Sequence, residues 1–230
     1  MDSLVLFQDD ANKIKEYLKI HPEDINIVFD DITPLVNALW TQRVDVIDCL
    51  IENGCDINFQ NIYGRTALHR ACNPINTMRN TMRNVNRDII ERLISNGASG
   101  LLKNSNDYTP LHFAAMYAKD VNIIHQLLII SDPNSLNERG ENPLMHACSL
   151  NISIEIISAL LNVTHDINLQ NNYGQTALHH SCYYKRNEAI KLLLSSGADS
   201  FIQDNRGRTP YDLADEKGKR IIDEYSASRK

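Results

Sequence analysis

The architecture of this 230-residue chain is set by the motif Thr109-Pro110-Leu111-His112-Phe113-Ala114, because variants of it return along the sequence. Close copies are Thr66-Ala67-Leu68-His69-Arg70-Ala71 and Thr176-Ala177-Leu178-His179-His180-Ser181, and degenerate copies begin at Thr33, Asn142 and Thr209. The six copies begin 33, 43, 33, 34 and 33 residues apart. Such a regular period, with one insertion of ten residues, predicts a chain of repeated units.

Each unit predicts two short helices. The first residue of the motif is a good N-cap, and the proline that often follows suits the first helical position. Further along the unit, apolar pairs such as Ile123-Ile124 and Leu127-Leu128 lie at the spacing of one broad helical face. Gly54, Gly97 and Gly197 stand where a left-handed residue would end the second helix. A unit therefore reads as helix, turn, helix and extended turn.

These motifs, with Asn-Gly-Cys-Asp-Ile-Asn at 53–58, resemble the ankyrin-repeat family. The resemblance implies an all-α solenoid of stacked helix-turn-helix units with short β-hairpin fingers. Asp107 departs from it, because the family has glycine at this point of the finger. The predicted units are 1–32 (N-terminal capping unit), 33–65, 66–108 (with the insertion), 109–141, 142–175, 176–208 and 209–230 (C-terminal capping unit).

Composition excludes several classes of protein. No apolar run is long enough to span a bilayer, and the N-terminus lacks the features of a signal peptide. The cytoplasm is the expected compartment, with the nucleus also open. The net charge is −6, although residues 61–103 carry seven Lys or Arg against two acidic residues. A nucleic-acid binder would normally be basic overall, so neither a nucleic acid nor a membrane is the expected partner.

The histidines and cysteines invite a catalytic or metal interpretation that their positions oppose. His69, His112 and His179 share the fourth motif position, where the resemblance implies a structural histidine bonded to the threonine and to the next unit. Cys72, Cys148 and Cys182 all follow the first motif residue by six, where a small apolar side chain suits a helix contact. No zinc, phosphate-loop or hydrolase motif is present. We expect no enzyme activity, no metal and no cofactor.

The resemblance also implies which positions line the concave face, namely the finger residues and the end of the first helix of each unit. Eight aromatic residues fall on these positions, and large exposed aromatics often dominate interfaces. A purely structural interpretation remains for three of them, since Tyr63 and Tyr173 precede the finger glycine and Trp40 could pack on the first unit. The predicted partner-binding residues are Trp40, Tyr63, Arg65, Tyr108, Tyr117, Arg139, Tyr173, Tyr183, Tyr184, Arg206 and Arg208.

The insertion contains a direct repeat, Asn76-Thr77-Met78-Arg79 followed by Asn80-Thr81-Met82-Arg83. If it is helical, Arg79, Arg83 and Arg87 form a basic stripe, and the alternative is a solvated extension without function.

The functional hypothesis is a protein–protein interaction module, monomeric when unbound, that holds a partner protein in its concave groove. One alternative is a gankyrin-like assembly chaperone of the proteasome regulatory particle, supported only by length and unit count. Another is an inhibitor or adaptor in a signalling or ubiquitin pathway. The Asn- and Ile-rich composition would suit a viral, bacterial-effector or protist protein.

Overall fold

The computed structural model of the chain describes residues 9–73 and 87–228. These residues form thirteen α-helices and one 3-10 helix, Pro22–Asn26. The helices are α1 (Ala11–Ile20), α2 (Pro34–Thr41), α3 (Val44–Glu52), α4 (Ala67–Cys72), α5 (Arg87–Ser95), α6 (Pro110–Tyr117), α7 (Val121–Leu128), α8 (Pro143–Ser149), α9 (Ile154–Leu161), α10 (Ala177–Tyr183), α11 (Asn187–Ser195), α12 (Pro210–Leu213) and α13 (Glu216–Ala227). None of the described helices is both long enough and apolar enough to cross a bilayer.

The helix boundaries follow the predicted capping chemistry. Thr66 Oγ1 accepts a hydrogen bond from the backbone N–H of the third helical residue of α4, and Asn142 Oδ1 does the same for α8. Gly54, Gly97 and Gly197 end α3, α5 and α11 in the left-handed region, with φ of 83°, 89° and 94°. Helices α7 and α9 lack that glycine, and the residues that follow them stay in right-handed conformation.

The helices stack in two rows. Helices α2, α4, α6, α8, α10 and α12 pack in sequence as an inner row, and α5, α7, α9, α11 and α13 pack in sequence as an outer row. Helix α1 packs on α3, and each inner helix contacts the outer helix that follows it. The core lies between the rows and between successive units, where Leu68, Ile90, Leu111, Ile124 and Leu178 are fully buried. The predicted all-α solenoid is confirmed.

The fingers are tight turns rather than paired strands. In the finger of residues 104–108, one backbone hydrogen bond runs from Asn104 N–H to the Tyr108 carbonyl (2.9 Å). The Asn104 Oδ1 atom accepts from the N–H groups of Asn106 and Tyr108, at 3.0 and 2.9 Å. The same pattern starts at Asn61, Asn137, Asn171 and Asp204. This side-chain oxygen takes the bonds that a strand partner would otherwise accept. Within the described residues, the one β-bridge joins Phe29 and Ile32.

Successive fingers are joined through their backbones. The N–H groups of Ser105, Glu138, Asn172 and Asn205 donate to a carbonyl of the preceding finger, at distances of 2.9 to 3.1 Å. A Cβ placed on Gly64 would lie 3.0 Å from the Cα of Asn104, so neighbouring fingers approach closely. The fingers therefore form one continuous row, called here the finger row, along one edge of the solenoid.

Candidate functional site

The motif histidines fasten each unit to the next. In the first full copy, Thr66 N–H donates to His69 Nδ1 (3.1 Å), so Nε2 carries the hydrogen and donates to the carbonyl of Tyr108 (3.0 Å). His112 repeats the arrangement with the Glu141 carbonyl, and His179 with the Arg208 carbonyl. The predicted bonding of these three histidines is confirmed.

Burial keeps these rings neutral. It lowers the pKa of His69 to about 4, against a smaller opposing effect of the bond to the Tyr108 carbonyl. Burial, together with the nearby His146, lowers the pKa of His112 to about 3. Because both ring nitrogens are already engaged, a proton added at Nδ1 would displace the bond from the threonine N–H.

The cysteines occupy apolar contacts. Cys72, Cys148 and Cys182 are fully buried, and burial raises the pKa of the thiols of Cys148 and Cys182 to about 12. A thiol with so high a pKa is a poor nucleophile and metal ligand. Cys49 packs under α1, with its Sγ 3.5 Å from the carbonyl of Ala11. In the described ranges, no group of three or more His, Cys, Asp or Glu side chains is placed to hold a metal ion.

Two cavities lined by described residues lie along the face that the sequence predicts to be concave. The larger, of about 430 Å³, lies at the C-terminal end between the finger row and the ends of the inner helices. Six of the predicted binding residues line it, and they are called here the C-terminal groove: Arg139, Tyr173, Tyr183, Tyr184, Arg206 and Arg208. These six residues come from four separate stretches of the sequence, and the fold brings them together.

The two adjacent tyrosines form an exposed aromatic wall of this groove. Tyr183 is 60% exposed and Tyr184 is 46% exposed. Their rings meet edge to face, with centroids 5.0 Å apart. Tyr184 is the C-cap of α10, and the left-handed residue Lys185 (φ 58°) turns the chain directly after it. The rings pack on each other rather than on the core, which leaves their outer faces available for contact.

The three arginines of the groove differ in whether a carboxylate of the chain pairs with them. Arg208 donates through Nε and Nη2 to one carboxylate oxygen of Asp204, at 3.0 and 2.7 Å. Burial of Asp204 acts to raise its pKa, but the hydrogen bonds from Arg208 and the finger N–H groups outweigh it and lower the pKa to about 2. Arg139 and Arg206 are exposed, and neither forms an ion pair with a residue that the structure describes.

The smaller cavity, of about 270 Å³, lies at the N-terminal end and takes in three more of the predicted residues, Trp40, Tyr63 and Arg65. The guanidinium of Arg70 lies 4.6 Å from the ring centroid of Trp40, a cation–π contact that the sequence did not predict. Burial lowers the pKa of Arg70 to about 10. The acidic residues Asp30 and Asp31 line the same cavity.

Tyr108 and Tyr117 do not line either cavity. Both are half-buried against the core, and burial raises the pKa of both phenols. The Tyr108 ring lies 5.5 Å from His112 and 5.3 Å from His146, between centroids. The expectation of exposed rings is therefore wrong for these two residues. Tyr108 is covered because Phe113, His112 and His146 lie within 5.5 Å of its ring, between centroids.

A buried polar cluster under the C-terminal groove was missed by the sequence analysis. Glu141, 6% exposed, accepts from Asn137 (3.1 Å), and its carboxylate lies 3.4 Å from His146 Nε2 and 4.0 Å from His180 Nε2. Burial lowers the pKa of His180 to about 4 despite the attraction of Glu141. The sequence did contain a signal for this cluster, since His146 and His180 both follow the first motif residue of their units by four and therefore occupy equivalent positions in neighbouring units.

The insertion falls outside the described residues, except for Arg87, which is exposed at the start of α5. The predicted basic stripe on Arg79 and Arg83 therefore stays a prediction.

Comparison with known proteins decides the family. A family model of ankyrin repeats matches residues 115–204 in three copies. This chain is built of ankyrin repeats. A putative ankyrin repeat protein of fowlpox virus (strain NVSL) is 34% identical over 73% of the chain and 49% of that relative. The human SH3 and multiple ankyrin repeat domains protein 2 is 27% identical over 86% of the chain, but over only 10% of its own length. The chain thus spans half or less of these curated relatives.

The solved ankyrin repeat domain of Bcl-3 has the same fold, with a TM-score of 0.72, 23% identity and 96% coverage of both chains. Ankyrin repeats are in general protein-interaction modules, and the fold is a scaffold of interaction proteins rather than of enzymes.

Proposed function

We propose that this ankyrin-repeat chain binds a partner protein in its concave face, with the C-terminal groove as the main contact. The observation that carries the proposal is the pair Tyr183 and Tyr184, which stand exposed beside the exposed cations Arg139 and Arg206. Aromatic and arginine side chains are the types most enriched among energetically dominant interface residues. The remaining predicted residues, including Tyr108 and Tyr117, would act at the margin of this contact.

The proposal is tested by separating folding from binding. Because both rings are exposed, replacing them should change the free energy of unfolding by no more than about 0.5 kcal/mol each. Loss of a dominant interface aromatic costs about 2 kcal/mol or more in binding, close to thirtyfold in affinity. The variant Tyr183→Ala with Tyr184→Ala should therefore keep its melting temperature and lose its partner in pull-downs from lysate with quantitative mass spectrometry.

The matched control is Glu52→Ala, an exposed residue at the end of the outer helix α3, which should change neither stability nor capture. If the tyrosine variant unfolds, the rings belong to the core and the proposal is wrong. If it stays folded and retains every partner, the groove is not the contact.

The identity of the captured proteins separates the finer hypotheses. Proteasomal ATPase subunits would assign a gankyrin-like chaperone role, and ligase or signalling components would assign an inhibitor or adaptor role. No contact in the described residues favours one of these over the other, so the proposal ends at protein binding.

A further inference from the structure

Three consecutive fingers present an alternating set of side chains at one equivalent position. Arg139, Tyr173 and Arg206 each stand three residues before the first motif residue of the following unit. The Arg139 carbonyl accepts from Asn172 N–H (2.9 Å), and the Tyr173 carbonyl accepts from Asn205 N–H (3.0 Å). These backbone bonds fix the separation of the three fingertips. The order along the finger row is therefore cation, aromatic ring, cation, at a constant step.

The two end cations are available for a partner. Arg139 and Arg206 are exposed, without an ion pair to a described residue, and Tyr173 between them is 56% exposed. Arg208, the third arginine of the groove, is engaged by Asp204. Any electrostatic attraction between this groove and an acidic ligand therefore depends on Arg139 and Arg206.

The acidic side chains that the structure describes near the finger row do not pair with Arg139 or Arg206. The Glu138 carboxylate is held on the preceding finger by Asn106 Nδ2 (2.9 Å), and that of Glu141 is buried among amides and histidines. Exposed Glu216 begins α13, and exposed Lys185 follows the tyrosine pair and adds positive charge. The N-terminal cavity differs, since Asp30 and Asp31 line it, so an acidic ligand is expected at the C-terminal end alone.

The distance between successive fingers predicts how many residues should separate the contacting side chains of a bound peptide. Packed helices lie about 8 to 10 Å apart, so Arg139 and Arg206 are separated by roughly 16 to 20 Å across two units. An extended peptide advances about 3.3 Å per residue, so this span corresponds to about six residues. Side chains of an extended peptide alternate between its two faces, so the first and seventh residues face the two arginines, and the third or fifth residue faces the tyrosine between them.

We infer that the C-terminal groove binds an extended acidic peptide segment in which two carboxylate side chains stand about six residues apart, with an apolar or aromatic residue two or four positions after the first of them. Each carboxylate accepts from one guanidinium, and the apolar or aromatic residue between them packs on Tyr173 and the tyrosine wall. The inference rests on the proposed function and specifies the chemistry of its partner.

The test is a selection of random twelve-residue peptides displayed on phage against the full chain, followed by fluorescence anisotropy with the selected peptides. We expect enrichment of two Asp or Glu residues separated by about six positions, with an apolar residue between them. Binding should weaken when NaCl is raised from about 50 to 500 mM, because partly exposed ion pairs are screened.

Charge reversal sharpens the test. Arg139→Glu with Arg206→Glu should weaken the selected acidic peptides by about tenfold or more, since an attraction becomes a repulsion. The control Arg220→Glu makes the same type of change at an exposed position on α13 and should have no effect. Circular dichroism melts confirm that each variant is folded.

The outcomes distinguish this inference from the proposed function. If Tyr183→Ala with Tyr184→Ala abolishes binding but charge reversal does not, the groove binds protein and the acidic segment is wrong. Selected peptides without acidic residues, or with acidic residues at no preferred separation, also overturn the inference. If no peptide is selected, or if neither variant affects the peptides that are, the inference of an acidic peptide segment fails, and the proposed protein binding is decided by the pull-down with the tyrosine variant.

Discussion

A single motif residue shows how local chemistry and stacking depend on each other. His112 bonds Thr109 within its own helix turn and the Glu141 carbonyl of the next finger. The first contact is predictable, because residues at N-cap and N3 always meet at a helix start. The second is predictable only once the period is recognised. Asp212 replaces the histidine in the last copy, and its carboxylate accepts from the N–H and the hydroxyl of Thr209.

Replacement of His112 by alanine should lower the free energy of unfolding by about 2 to 3 kcal/mol. The change leaves the buried N–H of Thr109 without an acceptor and opens a cavity between two units. Urea unfolding at pH 7.5 measures the loss. The exposed His165 provides the comparison, and His165→Ala should stay within about 0.5 kcal/mol of the unchanged chain. Equal stabilities of the two variants would contradict the fastening role.

The finger is the element whose geometry departs most from the sequence prediction. Its position two residues before the motif has positive φ in all six cases, but aspartate occupies it twice, as Asp31 (φ 63°) and Asp107 (φ 61°). The two aspartates differ in their contacts. Asp31 accepts from Asn61 Nδ2 (2.7 Å) and Ile62 N–H (3.0 Å), whereas the one contact of the Asp107 carboxylate with a described residue is an exposed one of 3.9 Å to Lys103 Nζ.

Opposite effects are therefore expected from the same substitution at these two positions. Asp107→Gly should raise the free energy of unfolding by about 0.5 to 1 kcal/mol, since relief of the left-handed strain exceeds the added chain entropy. Asp31→Gly should lower it by about 1 kcal/mol, because two hydrogen bonds to the next finger are lost. Chemical denaturation of both variants gives the comparison, and a stabilising Asp31→Gly would show that its contacts contribute nothing.

At the scale of the whole molecule, the period predicts which helices stack but not how side chains share the space between units. The sequence places Tyr108 and Tyr183 on equivalent faces, although Tyr108 is covered by Phe113 and His146 while Tyr183 meets only Tyr184. That difference depends on which neighbours the adjoining unit supplies. The two rows of helices and the groove positions could be read from the repeat, whereas the Glu141 cluster required the stacked structure.

Acid should weaken the solenoid at several unit boundaries together. The pKa values of His69, His112 and His180 are about 4, 3 and 4, below the value of 6.5 for an unburied histidine. As the pH falls below 6.5, the unfolded chain takes up protons that the folded chain does not, so stability is lost progressively towards pH 4. Each histidine contributes up to about 1.4 kcal/mol per pH unit in this window.

Thermal melts at pH 7.5, 6.0 and 5.0 check the acid effect, and the melting temperature should fall at each step. In His69→Gln, where the amide can still cap the helix, the fall should be shallower because one titrating ring is gone. A melting temperature that stays constant from pH 7.5 to 5.0 would mean that the rings accept protons without leaving their partners.

The backbone hydrogen bonds between fingers also limit how the binding specificity of such a chain can change during evolution. A residue added inside a finger would break the contact with its neighbour, whereas the ten extra residues of this chain lie between α4 and α5 in the sequence, outside the fingers. Specificity can therefore change by exchange of a fingertip side chain or by gain and loss of a complete unit. Descendants of such a chain would lengthen or shorten their ligands in whole steps of about three residues, and intermediate spacings would be inaccessible to them.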